Sequence, residues 1–141
     1  MKILVTDYAW KDLEIERQML TPLSASIVAA ETGDEDELIQ LAVEADGIFT
    51  NWKNVTRKVI SNAPKCRAIV RYGVGLDNID VQHATELGIV VANVPHYCVE
   101  EVSDHALSLL LALTRKVVFF DRGIKAGIYD LKSGTPMYRV R

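Results

Sequence analysis

Two glycines flank a valine in the run Arg71-Tyr72-Gly73-Val74-Gly75-Leu76-Asp77-Asn78. With so little side chain there, a ligand can approach the main chain, and successive N–H groups can converge on a small anion such as a carboxylate. The same residues also suit a plain tight turn with positive φ, with Asp77 or Asp80 capping the helix that follows. A dinucleotide fits less well. The pattern is Gly-x-Gly-x-x-Asn, with Asn78 in place of the third glycine, and the next apolar strand ends on Ala92-Asn93 rather than on an acidic residue. A second group of polar residues stands at Asn51-Trp52-Lys53-Asn54. It offers a movable cation and two amides for an anion, with an indole to line a pocket. The alternatives are a solvated lysine and a tryptophan that covers the sheet. The three histidines form no catalytic set. His83 is expected on the solvent side of a short helix and His105 inside a long one beside Asp104. His96 stands on a loop from which it could reach an anion. No Ser/His/Asp arrangement, metal-ligand spacing or Gly-x-x-x-x-Gly-Lys loop is present.

The elements that must position these residues alternate. Short apolar runs at Ile3–Val5, Ser26–Ala29, Gly47–Thr50, Ala68–Val70 and Ile89–Ala92 read as strands. Between them lie helical stretches at Asp12–Leu20, from Thr32 through Ala45, around Val59-Ile60, and at Asp80–Leu87. Thr32 with Glu35, or Asp34 with Glu37, suits a capping box, Asn54 or Thr56 can open the third helix, and Gly88 suits a C′ position. Strands separated by helices pair in parallel, and strands apolar throughout belong to a sheet covered on both faces. The fold expected for residues 1–98 is therefore α/β: a flavodoxin-like, five-stranded, doubly wound parallel sheet. Ligands of such sheets bind beyond the carboxyl ends of the strands, where both candidate loops fall.

After Pro95 the pattern changes. Val99 to about Ile124 is predicted as one long helix, apolar nearly all round between Ala106 and Leu113, so that it needs burial on more than one side. Residues 128–141 follow as a tail that stops without a terminating signal.

Composition narrows the class. The chain has 141 residues, a net charge of −3 and 49% apolar residues, which excludes a disordered chain and gives no basic surface for nucleic acid or an anionic membrane. No apolar segment reaches the roughly 20 residues that span a bilayer. Cys66 and Cys98 lie in apolar stretches and read as reduced thiols, so a cytoplasmic location is expected.

Three blocks carry a resemblance: Arg71-Tyr72-Gly73-Val74-Gly75-Leu76-Asp77-Asn78-Ile79-Asp80, Leu87-Gly88-Ile89-Val90-Val91-Ala92-Asn93-Val94-Pro95, and Val99-Glu100-Glu101-Val102-Ser103-Asp104-His105-Ala106-Leu107. In this order and spacing the sequence resembles the D-isomer-specific 2-hydroxyacid dehydrogenases, above all their phosphoglycerate dehydrogenase-like and C-terminal-binding-protein-like members. The resemblance implies a substrate domain (1–98), a long interdomain helix (99–127) and the start of an NAD-binding domain (128–141). It implies substrate binding at Gly73, Val74 and Gly75 through backbone N–H groups and at Asn51, Trp52 and Lys53, with Val102 near the nicotinamide. The family's Gly-x-Gly-x-x-Gly and its catalytic Arg, Glu and His match nothing in residues 1–141. The expectation is thus the front part of an NAD-dependent oxidoreductase for small 2-hydroxy or 2-oxo carboxylates, inactive by itself and self-associating, as a dimer, through the leucine-rich helix. The alternative is a non-catalytic, co-repressor-like interaction module on the same frame.

Overall fold

The computed structural model describes residues 1–139. They fall into two units, one ending at Tyr97 and one beginning at Cys98. The first unit is a five-stranded parallel sheet in the order β2-β1-β3-β4-β5. Its strands are β1 (Lys2–Val5), β2 (Ser26–Ala29), β3 (Gly47–Thr50), β4 (Ala68–Arg71) and β5 (Val90–Ala92). The register is continuous across the centre: Leu4 pairs Ile48, and Ile48 pairs Ile69. All three of those side chains are buried. The helices are α1 (Glu14–Leu20), α2 (Glu35–Ala42), α3 (Arg57–Ser61) and α4 (Val81–Glu86).

Strand order dictates the layers. The chain steps one way from β1 to β2 and the other way for every later crossover. Right-handed crossovers then put α1 on one face and α2, α3 and α4 on the other. The core follows this plan. Leu38 and Ala42 of α2, Val59 and Ile60 of α3 and Ala84 of α4 join Leu4, Ile48 and Ile69 in one buried cluster. Each large aliphatic side chain there contributes roughly 1.5–3 kcal/mol by leaving water. The order reverses between β1 and β3, and the carboxyl ends of β1, β3 and β4 meet at that reversal, where open α/β sheets place their ligands.

Local signals resolve case by case. Thr56 opens α3 by accepting the Val59 amide, and Asp80 opens α4 by accepting the His83 amide at 2.9 Å. Gly88 ends α4 with φ +73°, which its missing side chain permits. Neither expected capping box forms at α2. Glu37 instead turns back onto the loop before the helix, as described below. His83 is buried, not solvent-facing: Nε2 lies 2.8 Å from Ser61 Oγ and Nδ1 3.2 Å from Glu86 Oε2. It joins α3 to α4, a role invisible to a helical-wheel argument because the partner is on another helix.

The second unit departs from the expected single helix. α5 (Val99–Thr114) and α6 (Val117–Lys125) are separate, and Lys116 between them takes a left-handed φ of 54°. The break has a local cause. The charged pair Arg115-Lys116 interrupts the apolar run there, and the β-branched pair Val117-Val118, poor in helix propensity, follows. No residue of α5 or α6 is buried. The last residues of the 128–141 tail, Val140 and Arg141, lie outside the described residues.

Candidate functional site

Three stretches of backbone amides line the carboxyl edge, and each is treated differently. The first follows β2. The amides of Glu31, Thr32 and Gly33 all donate to the Glu37 carboxylate, at 2.7, 2.9 and 2.8 Å. The Thr32 hydroxyl adds a fourth bond at 2.7 Å. These donors favour the charged form and pull Glu37 down to about 2. Gly33 turns through φ +66°, and a Cβ there would meet the Thr6 carbonyl at 2.7 Å, so only glycine closes this loop.

The second stretch follows β3. Asp7, the first residue after Thr6 at the end of β1, takes the amides of Asn51, Trp52 and Lys53 at 3.0, 2.8 and 3.2 Å. Burial pushes the Asp7 carboxyl up, but those three amides and the Thr6 hydroxyl outweigh it and hold the group below its ordinary value. Asn51 is buried, whereas Trp52 is 68% exposed. The stem of Lys53 lies close to Gly33, and its Nζ stands 3.6 Å from Asp34. The β3 loop therefore offers its carbonyls to its neighbour. Arg71 Nε donates to the Asn51 carbonyl at 3.1 Å, and Asn78 Nδ2 donates to the Lys53 carbonyl at 2.9 Å.

The third stretch is Gly73-Val74-Gly75, after β4. Its carbonyls are tied down, that of Gly73 by the Val94 amide at 3.0 Å and that of Val74 by Asn93 Nδ2 at 2.6 Å. Among the described residues, the amides of Gly73, Val74 and Gly75 donate to no protein group. Gly73 is itself buried, and a buried amide is costly unless something accepts it. Neither glycine has positive φ, so the tight-turn explanation fails. What the glycines provide is room beside Arg71. A Cβ at Gly75 would meet an Arg71 guanidinium nitrogen at 2.7 Å and Asp77 Oδ1 at 2.7 Å, and a Cβ at Gly73 would lie 3.5 Å from Arg71 Nε. The Arg71 side chain is 16% exposed, and its other partner is Asp77 at 3.5 Å.

Of the residues expected from sequence, Asn51 and Lys53 are thus joined to the glycine loop through Arg71 and Asn78. Val102 lies on α5 in the other unit, 60% exposed. The sequence reading missed Asp7, Glu37, Arg71 and Asn78 as site-building groups. Asp7 could have been found as the first carboxylate past a strand end at the switch in strand order. The amides that Glu37 collects leave no periodic trace.

A model of the D-isomer specific 2-hydroxyacid dehydrogenase catalytic domain matches residues 3–135. The chain belongs to that family. It is 40% identical over 101 residues to a glyoxylate reductase of Pyrococcus horikoshii, covering 67% of this chain and 30% of the relative. It is 36% identical over 108 residues to a D-3-phosphoglycerate dehydrogenase of Mycobacterium leprae, covering 74% of this chain and 20% of the relative. Among solved structures, the NAD+-bound 3-phosphoglycerate dehydrogenase of Entamoeba histolytica superposes with TM-score 0.70 at 25% identity, over 82% of this chain and 40% of that one. The chain therefore spans less than a third of the length of these curated relatives. Among the described residues no helix is long and apolar enough to cross a membrane, and no cluster of side chains could hold a metal ion.

A dinucleotide does not fit the glycine loop of this dehydrogenase domain. Asn78, where a third glycine would admit a pyrophosphate, is buried with its amide nitrogen bonded to the β3 loop. The residue after the next strand is Asn93, bonded to Val74.

Proposed function

We propose that residues 1–98 are the substrate-gripping part of an NAD-dependent oxidoreductase for D-2-hydroxy acids and 2-oxo acids, and that the substrate carboxylate sits on the amides of Gly73, Val74 and Gly75. The observation that carries this reading is that, among the described residues, those amides donate to no protein group while the carbonyls of Gly73 and Val74 are fixed by Val94 and Asn93. The donors are held in place without being consumed, which is the preorganisation an anion site needs. Asn51, Trp52 and Lys53 form the rim, and Arg71 braces the rim against the loop. In this reading 99–127 connects the substrate domain to a nucleotide-binding domain begun at 128, with Val102 facing the nicotinamide and NAD accepting the hydride. No chemical step is assigned to the residues of the carboxyl edge. Their role is to bind and orient. The exposed leucines of α5, Leu107, Leu109, Leu110 and Leu111 among them, would be the surface through which copies of the protein pair.

Titration of the 15N-labelled 141-residue chain with D-lactate tests the reading. The amide signals of residues 73–75 should shift saturably at millimolar concentration, a binding free energy near −4 kcal/mol, while those of 31–33 stay put. Unmoved signals at 73–75 would refute it. The same polypeptide should show no NAD-dependent oxidation of D-lactate, because hydride transfer also requires a positioned proton acceptor and a bound nicotinamide.

A further inference from the structure

Beside the glycine loop lies a small cavity that the carboxylate reading leaves unused. It is an open groove of about 230 Å³ lined by Tyr72 and by the exposed side chains of Trp10, Val94 and Tyr97. All four residues stand on loops at the carboxyl edge, after β1, β4 and β5. Two of them adjoin the amide run directly: Tyr72 precedes Gly73, and the Val94 amide donates to the Gly73 carbonyl at 3.0 Å. The walls are braced rings. Trp10 meets Tyr72 edge to face with centroids 4.7 Å apart, and Phe49 supports Tyr72 from the strand at 5.7 Å.

The charges around this cavity are as telling as its shape. The Tyr72 hydroxyl is buried beside the Glu16 carboxylate, and burial together with that negative charge keeps the phenol protonated far above its ordinary range. Two cations of the same edge are engaged elsewhere: Arg71 with the Asn51 carbonyl and Asp77, and Lys53 with Asp34. Neither Arg71 nor Lys53 is therefore free to meet an anionic substituent.

We infer that this cavity receives the side chain of the substrate, and that the acid bound by this protein carries an uncharged branched-aliphatic or aryl group on the carbon next to C2. The inference rests on the carboxylate reading above, which supplies the anchor at residues 73–75. It narrows the substrate to apolar acids and excludes phosphorylated and dicarboxylic ones as preferred ligands.

The test uses the 141-residue chain and four probes: D-lactate, D-2-hydroxy-4-methylpentanoate, D-3-phenyllactate and D-3-phosphoglycerate. Amide signals of residues 73–75 report the anchor, and the indole N–H signal of Trp10 reports the cavity. The isobutyl and phenyl acids should bind about tenfold more tightly than D-lactate and should move both sets of signals. D-3-phosphoglycerate should bind no better than D-lactate and leave the Trp10 indole unmoved. Trp10→Ala should weaken the isobutyl and phenyl acids far more than D-lactate and so remove their advantage, and Trp10→Phe should restore most of it. Equal affinities with a silent indole would overturn the inference and leave the anchor standing, as would tightest binding by the phosphate ester. If no acid moves residues 73–75, the anchor reading itself fails and this inference falls with it.

Discussion

The β2 and β3 loops present the same chemistry as the β4 loop, yet only the first two are satisfied from within. Glu37 collects the amides of 31–33, Asp7 collects those of 51–53, and among the described residues no group collects those of 73–75. The difference does not come from a shortage of carboxylates. Asp77 is two residues from Gly75, but it faces Arg71 instead. On the reading proposed above, a sheet edge that quenches two sets of donors and fixes a third by its carbonyls keeps that third set for an acceptor from outside. The comparison also separates two uses of backbone amides that look alike in sequence: holding a loop, and holding a ligand.

Removing an internal carboxylate breaks the comparison most severely. Asp7→Ala leaves three amides without their charged acceptor, two of them partly buried. It should cost about 2–4 kcal/mol of stability in urea unfolding. Because the β3 loop carries Asn51 and Lys53, whose carbonyls hold Arg71 and Asn78, D-lactate binding at 73–75 should weaken as well. A loss under about 1 kcal/mol would mean that water replaces Asp7 and that its bonds do not hold the loop.

The next effect lies on the ligand-holding side. Gly75→Ala puts a Cβ 2.7 Å from the Arg71 guanidinium and from Asp77 Oδ1, so both side chains must move. D-lactate affinity at 73–75 should fall about tenfold, the value of roughly one lost charge-assisted hydrogen bond, with little change in melting temperature. Gly73→Ala, whose Cβ only reaches ordinary contact at 3.5 Å, should weaken binding less. The reverse order would place the anion at the wrong end of the loop.

How far the sequence showed this site depends on the range of the forces that build it. The five strands were visible because a doubly covered sheet demands unbroken apolar runs such as Ile3-Leu4-Val5 and Ala68-Ile69-Val70. The glycine loop was visible because small residues past a strand end have few other uses. What fills the neighbouring loops was not visible. Asp7 lies 44 residues from Asn51, and Glu37 reaches back six to Glu31. Neither distance corresponds to a helical or strand period. The break at Lys116 was hidden for the opposite reason: the helical spacing of Leu113, Val117, Phe120 and Ile124 continues across it.

A smaller effect should appear in acid. Glu37 is held at about 2 in the folded chain against an ordinary 4.5, so its contribution to stability is complete above 4.5 and is lost as pH falls towards 2. Asp7 is lowered too and acts with the same sign. Melting temperatures recorded from pH 5 to pH 2.5 should therefore fall less steeply for Glu37→Gln than for the unsubstituted chain. Parallel curves would show that its four bonds survive protonation or contribute nothing.

Lys53 should give the smallest effect, and it is the sharpest check on which loop holds the ligand. A lysine on a carboxyl-edge loop invites the role of anion clamp, but its Nζ lies 3.6 Å from an Asp34 that is largely in water, and its stem runs along Gly33. An exposed pair of that kind contributes on the order of 0.2–1 kcal/mol. Lys53→Met keeps the stem that packs on Gly33 and removes only the charge. D-lactate affinity at 73–75 should then change by less than about threefold, because screened charge at the rim adds little to amides already aimed at the anion. A loss comparable to that of Gly75→Ala would transfer the grip from the backbone of the β4 loop to the cation of the β3 loop.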